Sequence, residues 1–223
     1  MNADSDCTTP HLNRAALVTI DVQRDVLDGQ PLEIAGSSAA LPAMCELAQA
    51  FRDCERPIVH IVRLYRPDGS NVDLCRREDV MRGWQALAPD SDGAQLAAGL
   101  APAVHKRLDA ELMLGGAIQR LGEAEVVIYK PRWGAFYETP LHDHLRSLDV
   151  DTLVFCGVNF PNCPRTSIYE ASERDFRIVV AINAIAGLYE RGTRELANIG
   201  VTVGPASDVI SQLRTATGRL VST

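Results

Sequence analysis

Three residues at the ends of apolar runs could together perform nucleophilic chemistry: Asp21, Lys130 and Cys163. Cys163 lies in Cys156-Gly157-Val158-Asn159-Phe160-Pro161-Asn162-Cys163-Pro164-Arg165-Thr166-Ser167, between the apolar Leu153-Val154-Phe155 and a segment with helical character from Ser167 to Arg174. A cysteine at a strand-to-helix turn faces unsatisfied backbone N–H groups and the positive end of a helix dipole. Both lower a thiol's pKa and favour the thiolate, which is the nucleophile. Pro164 fits the first helical position. A lone cysteine is more often a buried, inert thiol, so Cys163 gains meaning only beside a base and a cation. Asp21, within Thr19-Ile20-Asp21-Val22-Gln23-Arg24-Asp25, ends one apolar run, and Lys130, within Tyr129-Lys130-Pro131-Arg132-Trp133-Gly134-Ala135-Phe136, ends another. An aspartate after a strand is usually a turn or cap residue. An acid, an amine and a thiol at three strand ends supply a base, a cation and a nucleophile.

These residues need a scaffold that brings strand ends together. Short β-branched runs (Ala15–Ile20, Ile58–Leu64, Glu125–Tyr129, Thr152–Gly157, Arg177–Ile182 and Val201–Val203) alternate with segments of helical period. Most runs are continuously apolar, the pattern of strands buried on both faces of a parallel sheet. Leu41, Met44, Ala48 and Phe51 mark one helical face. Thr139-Pro140 caps another bearing Leu141, Leu145 and Leu148. Leu188, Leu196 and Ile199 precede a stop at Gly200, and Ser207 opens a last helix with Val209, Ile210 and Leu213. The expectation is one three-layer α/β/α, doubly wound domain over 14–223 with a mostly parallel six-stranded sheet. Ligands of such sheets bind outside the carboxyl ends of the strands. Residues 1–13 are expected to form a loose arm. Tyr65–Gly116 is too long for one crossover and is expected to be an excursion at the site or a subunit contact.

Composition narrows the function. The 223 residues are 46% hydrophobic and 23% charged, with net charge −7, ordinary for a globular domain. The acidic balance argues against nucleic acid or an anionic membrane surface as partner. No apolar run is long enough to span a bilayer, and Met1–Asn13 has neither the basic start nor the apolar core of a signal peptide. The six scattered cysteines read as reduced thiols. A cytoplasmic protein is expected.

In three segments the chain resembles the isochorismatase-like cysteine hydrolases, a family that includes nicotinamidases, N-carbamoylsarcosine amidase, and biuret and triuret hydrolases. The segments are Asp21-x-Gln23, Lys130-x-x-x-x-Ala135-Phe136, and Gly157-Val158 with the cysteine six positions after the glycine. The resemblance implies an Asp21–Lys130–Cys163 triad, a cis peptide at Val158–Asn159, and an oxyanion hole made by the Asn159 and Cys163 amides. It implies attack of Cys163 on a carboxamide or ureido carbonyl, with release of ammonia and no organic cofactor. The relevant nicotinamidases carry a histidine-containing metal site after the second strand. Here that place is Arg63-Leu64-Tyr65-Arg66-Pro67-Asp68, without histidine, and His142 and His144 are spaced to lie on different helix faces. No catalytic metal is expected.

The Asn159–Thr166 stretch looks most like the streptothricin, triuret and biuret hydrolase subgroup, which implies small urea-derived substrates such as triuret or biuret. A nicotinamide-type or cyclic amide and a silent binding domain are the alternatives. Gln23, Trp133, Phe136, Phe160 and Arg66 are candidate substrate contacts, with Arg165 a weaker one. A homo-oligomer, a dimer or tetramer, is implied by the family.

Overall fold

The computed structural model describes residues 7–219. Seven strands form one sheet: β1 (Ala15–Ile20), β2 (Ile58–Val62), β3 (Gln119–Arg120), β4 (Glu125–Tyr129), β5 (Thr152–Gly157), β6 (Arg177–Ile185) and β7 (Thr202–Gly204). Their order is β3-β4-β2-β1-β5-β6-β7, and every pairing is parallel except the short antiparallel β3–β4 edge. Seven strands replace the expected six because β3 has only two residues, Gln119 and Arg120, too few and too polar to make an apolar run. The helices are α1 (Ser37–Asp53), α2 (Leu74–Met81), α3 (Ala110–Leu114), α4 (Leu141–Ser147), α5 (Cys163–Ser172), α6 (Glu190–Ala197) and α7 (Ala206–Ala216).

Strand periodicity divides the core into two layers. Leu17, Val154 and Cys156 join Met44 and Leu47 of α1 and Leu213 of α7 on one side. Val18, Ile20 and Phe155 join Leu145 of α4, Ile168 of α5 and Leu196 of α6 on the other. β1 and β5 are buried throughout, and β4 as far as Ile128, because their residues feed both layers. The chain winds outward from β1 through β2 to β4, then returns to lay β5, β6 and β7 on β1's other side. The switch point therefore lies between β1 and β5, where α/β sheets bind ligands.

Three boundaries move for identifiable reasons. β6 continues past Ile182 to Ile185, because after a register shift Ile185 pairs with Gly157 of β5; within this extension the Asn183 carboxamide oxygen accepts the Ala206 N–H at 2.8 Å at the start of α7. Ser207 lies inside α7 instead of capping it. Leu148 falls past the end of α4 and is exposed, so only Leu141 and Leu145 bury that helix.

The expectation of a loose arm through Asn13 fails near its end. Leu12 is buried, the His11 N–H donates to Thr152 Oγ1 at 2.9 Å, and His11 Nδ1 lies 2.8 Å from Asp151. The 65–116 excursion shares the α1-side core through Val72, Leu87, Leu96, Leu100 and Met113. It also clasps the loop after β1. Arg24 N–H donates to Gln95 O, Asp25 N–H to Gly93 O, and Leu87 N–H to Asp25 Oδ2 at 2.6 Å. Gly93 is required there, since a Cβ would sit within 1.9–2.2 Å of the Asp25 carboxylate.

Candidate active site

β4, β2, β1 and β5 are adjacent, and each offers a polar residue just past its last strand position: Lys130, Arg63, Asp21 and the Gly157–Cys163 loop. Asp21 still pairs through its N–H with Ile61 O at 2.9 Å, then turns into the left-handed region at φ 54°. That turn aims the carboxylate across the strand ends instead of onto a sheet face. Lys130 N–H likewise donates to Val62 O at 3.0 Å. Gly157 is needed because a Cβ would approach Ile20 O to 2.3 Å. Cys163 is the first residue of α5 and Pro164 the second.

The three residues meet. Lys130 Nζ lies 3.0 Å from Asp21 Oδ2, 3.2 Å from Cys163 Sγ and 3.1 Å from Arg132 O. Three acceptors thereby surround a side chain of 0% relative exposure, enough for the three N–H donors of an ammonium. Asp21 Oδ1 is buried and has no hydrogen-bond partner among the described residues.

The thiol departs from the expectation drawn from the helix start. Burial, followed by the negative charge of Asp21, pushes Cys163 up to about 12, and the opposing pull of Lys130 does not offset them. Cys163 rests as a thiol beside a carboxylate able to receive its proton. Cys156 is also pushed up, by burial, and points into the α1-side core.

The Val158–Asn159 peptide is cis. Neither the Asn159 nor the Cys163 amide donates to a backbone acceptor among the described residues, while the flanking Val158, Phe160 and Asn162 amides do. The loop is held by Ser167, whose hydroxyl donates to Cys163 O at 2.7 Å and accepts from Ala135 N–H at 3.0 Å. Phe136 N–H donates to Glu170 at 2.9 Å, so the segment after Lys130 is stitched to α5.

A small cavity of about 30 Å3 opens over Cys163. Val158, Asn159 and Asn162 form one side, Val26, Leu32 and Ile34 another, and Trp133, Leu87, Tyr65, Arg63 and Arg76 the rest. Of the expected substrate contacts, only Trp133 lines this cavity.

The others lie elsewhere. Gln23 is wholly buried and structural: its Nε2 donates to Arg63 O at 2.9 Å and Ala94 O at 2.7 Å, and its Oε1 accepts Arg63 N–H at 2.9 Å. Phe136 is stacked among Phe176 and Arg174. Phe160 is buried against Tyr189. Arg66 is exposed and lies outside the cavity. Arg165 turns to Tyr189 and Glu195. His142 and His144 sit on α4, and no group of three or more His, Cys, Asp or Glu side chains able to hold a metal occurs among the described residues.

Sequence reasoning missed Arg63, Tyr65, Asp73 and Arg76. Arg63 Nη2 donates to Asp73 Oδ2 at 2.8 Å, Tyr65 Oη to the same oxygen at 3.3 Å, and Arg76 Nη1 to Tyr65 Oη at 3.0 Å. Burial pushes the Tyr65 phenol up to about 12, so it remains a donor. Arg63 directly follows β2, as Asp21 follows β1 and Lys130 follows β4, but the expected strand runs through it to Leu64, whereas β2 ends at Val62. Arg76 had no signal, being one of several arginines in an irregular segment.

A family model described as the Isochorismatase domain matches residues 15–208. The chain belongs to the isochorismatase family. It is 27% identical over 192 residues to a protein of Arabidopsis thaliana named a probable inactive nicotinamidase, covering 83% of this chain and 89% of that one. It is 28% identical over 172 residues to the maleamate amidohydrolase of Pseudomonas putida, covering 75% of this chain and 70% of that one. It is 27% identical over 175 residues to the N-carbamoylsarcosine amidase of an Arthrobacter species, covering 75% of this chain and 58% of that one. Among solved structures, an isochorismatase family protein of Desulfovibrio vulgaris superposes with a TM-score of 0.76 at 28% identity, covering 90% of this chain and 98% of that one.

Proposed function

We propose that this isochorismatase-family protein is a cysteine amidohydrolase that cleaves a carbon–nitrogen bond of a small amide or ureide. The observation that carries the reading is the placement of Lys130 Nζ at 3.0 Å from Asp21 and 3.2 Å from Cys163 beneath one cavity. Relatives named maleamate amidohydrolase and N-carbamoylsarcosine amidase support amide chemistry. The Arabidopsis relative named as probably inactive supports a silent binding domain instead. A binding domain has no use for a buried thiol, ammonium and carboxylate in mutual contact, so the catalytic reading is preferred.

In this mechanism the Cys163 proton passes to the unpartnered Oδ1 of Asp21 as Sγ attacks the substrate carbonyl carbon. Lys130 stabilises the negative charge that moves between Asp21 and Sγ. The carbonyl oxygen gains charge and is received by the Asn159 and Cys163 amides, the two in the loop without backbone acceptors. Asp21 returns its proton to the leaving nitrogen, and ammonia departs from an S-acyl enzyme. Water, deprotonated by Asp21, then attacks the thioester, releasing the acid and restoring the thiol.

Triuret and biuret, expected from the loop sequence, are neutral members of this substrate class. The test is ammonia release from a panel of small amides and ureides by the native protein and by Cys163→Ser. Release from at least one compound by the native protein, lost in Cys163→Ser, supports the reading. No release from any, or full activity in the variant, refutes it.

A further inference from the structure

The guanidinium of Arg63 is not used by the chemistry above, yet it lines the same cavity as Cys163 and is 3% exposed. One of its nitrogens, Nη2, is paired with Asp73 at 2.8 Å. Nε and Nη1 have no hydrogen-bond acceptor among the described residues. Leaving buried, charged donors unpaired is strongly unfavourable, and native structures seldom do so without a functional reason. Gln23 fixes the backbone on which this side chain stands, gripping both Arg63 N–H and Arg63 O. The Tyr65 ring lies against the guanidinium, 5.1 Å from the ring centroid. Arg63 is thus held from behind, with two unpaired buried donors on a side chain that lines the cavity.

We infer that Arg63 binds a carboxylate of the substrate, which makes the substrate class short monoamides or ureides carrying one carboxylate group. The inference rests on the amidohydrolase reading for which end of the substrate reacts.

Charge and donor type both favour this class over a neutral ureide. The charged groups of the site are Arg63, Arg76 and Lys130 against Asp21 and Asp73, three cations to two anions while Cys163 is a thiol, inside a chain of net charge −7. One anionic ligand balances them. A carboxylate presents only acceptors, about four lone-pair sites, and its hydrogen bonds to a guanidinium are among the strong ones. A neutral ureide offers carbonyl acceptors but no negative charge, so its hydrogen bonds to Arg63 are weaker than a carboxylate's. The cavity of about 30 Å3 restricts the linker between carboxylate and scissile carbonyl to a short one. Arg76 closes the rim, its guanidinium 5.1 Å from the centroid of the Trp133 ring.

Two matched pairs of probes test this: succinamate with succinamide, and hydantoate (ureidoacetate) with biuret. Binding is measured calorimetrically on Cys163→Ala, which cannot turn over and keeps Arg63. We expect at least one anionic probe to bind tenfold or more tighter than its neutral partner, with the preference shrinking as salt is raised. If neither does, the inference is wrong. This arm stands even if Arg63 variants do not fold.

The kinetic arm uses Arg63→Lys and Arg63→Met in the otherwise native chain. For an anionic substrate KM should rise tenfold or more in Arg63→Met and less in Arg63→Lys, with kcat within about threefold. In Arg63→Met, kcat/KM for a neutral amide should fall at least tenfold less than for the anionic substrate. An equal fall in kcat for anionic and neutral substrates would overturn the inference, because it would show Arg63 merely positioning Asp21. A native protein that releases ammonia from no amide would instead refute the amidohydrolase reading, while the binding arm would still decide whether Arg63 holds a carboxylate.

Discussion

Two buried polar clusters lie in this sheet, and they are finished to different degrees. Beneath α1, Thr19 Oγ1 lies 2.8 Å from His60 Nδ1, His60 Nε2 lies 2.7 Å from Glu125 Oε1, and Arg52 grips both Glu125 oxygens at 2.7 and 2.8 Å. Every side-chain polar atom of Thr19, His60 and Glu125 has a partner. At the strand ends, four of the five unpartnered buried side-chain atoms among the described residues belong to Asp21, Arg63 and Asp73. The same chain that satisfies one network leaves the other open toward a cavity. A fully satisfied network rigidifies a core, whereas an open one is completed by a ligand. The difference separates stability from function along two or three residues of the same strands: Thr19 of β1 and Asp21, His60 of β2 and Arg63.

Substitutions should split along that line. The largest expected effect is on turnover: Cys163→Ala should lower activity about 10^4-fold or more, while melting stays within a few degrees of native. A melting temperature that collapses with activity would place Cys163 among the structural residues. Next, Glu125→Ala leaves His60 and Arg52 without their shared anion and should destabilise by about 3–5 kcal/mol. Denaturant titration reads that loss, and the kcat of the protein that remains folded should be unchanged.

The acid limb of stability should follow the same network. Burial would raise Glu125, but Arg52 and His60 outweigh it and hold its carboxyl down to about 2. The unfolded chain therefore takes up this proton more readily, and stability should fall as pH drops from about 4.5 toward 2. His60 is held below its usual value, first by burial, so its contribution also fades as pH falls below about 6.5. Acid unfolding profiles of native protein and Glu125→Gln should converge at low pH. Parallel profiles would break the comparison.

At the strand ends the thiol itself reports. Alkylation of Cys163 should rise only toward strongly alkaline pH. Asp21→Asn should shift that rise to lower pH and Lys130→Met to higher pH. An alkylation midpoint near neutrality in the native protein would contradict the resting thiol. The smallest expected effect belongs to Arg66→Ala, within about 0.5 kcal/mol in stability and with no change in turnover, because Arg66 is exposed and outside the cavity.

What sequence revealed depended on how local each cause was. Asp21, Lys130 and Cys163 were legible because apolar runs mark strand ends, and parallel sheets gather those ends on one edge. The side on which an aromatic or a glutamine turns is decided by tertiary neighbours. Phe136 and Phe160 therefore went to the core and Gln23 to Arg63, although all three lie near the triad in sequence. A helix start beside Cys163 was expected with Pro164 first, and the helix begins one residue earlier, at Cys163 itself; the thiol's pKa was not foreseen. Burial, followed by the charge of Asp21, 142 positions earlier in the chain, outweighs a local dipole. β3 was invisible because two polar residues at an edge bury little.

The clasp between the 65–116 segment and the loop after β1 has a consequence for how this molecule can change. Asp21 and Lys130 stand on strand termini fixed by the sheet and Cys163 on the first turn of α5, while Arg76 and Leu87 reach the cavity from a segment that contributes no strand to the central sheet before β3. New walls could be grafted between Val72 and Gly93 with Asp21, Lys130 and Cys163 left in place, provided the grafted segment still reaches the Asp25 carboxylate. Part of the cavity wall can therefore be exchanged separately from the strand ends, provided the graft also keeps a carboxylate where Asp73 holds Arg63.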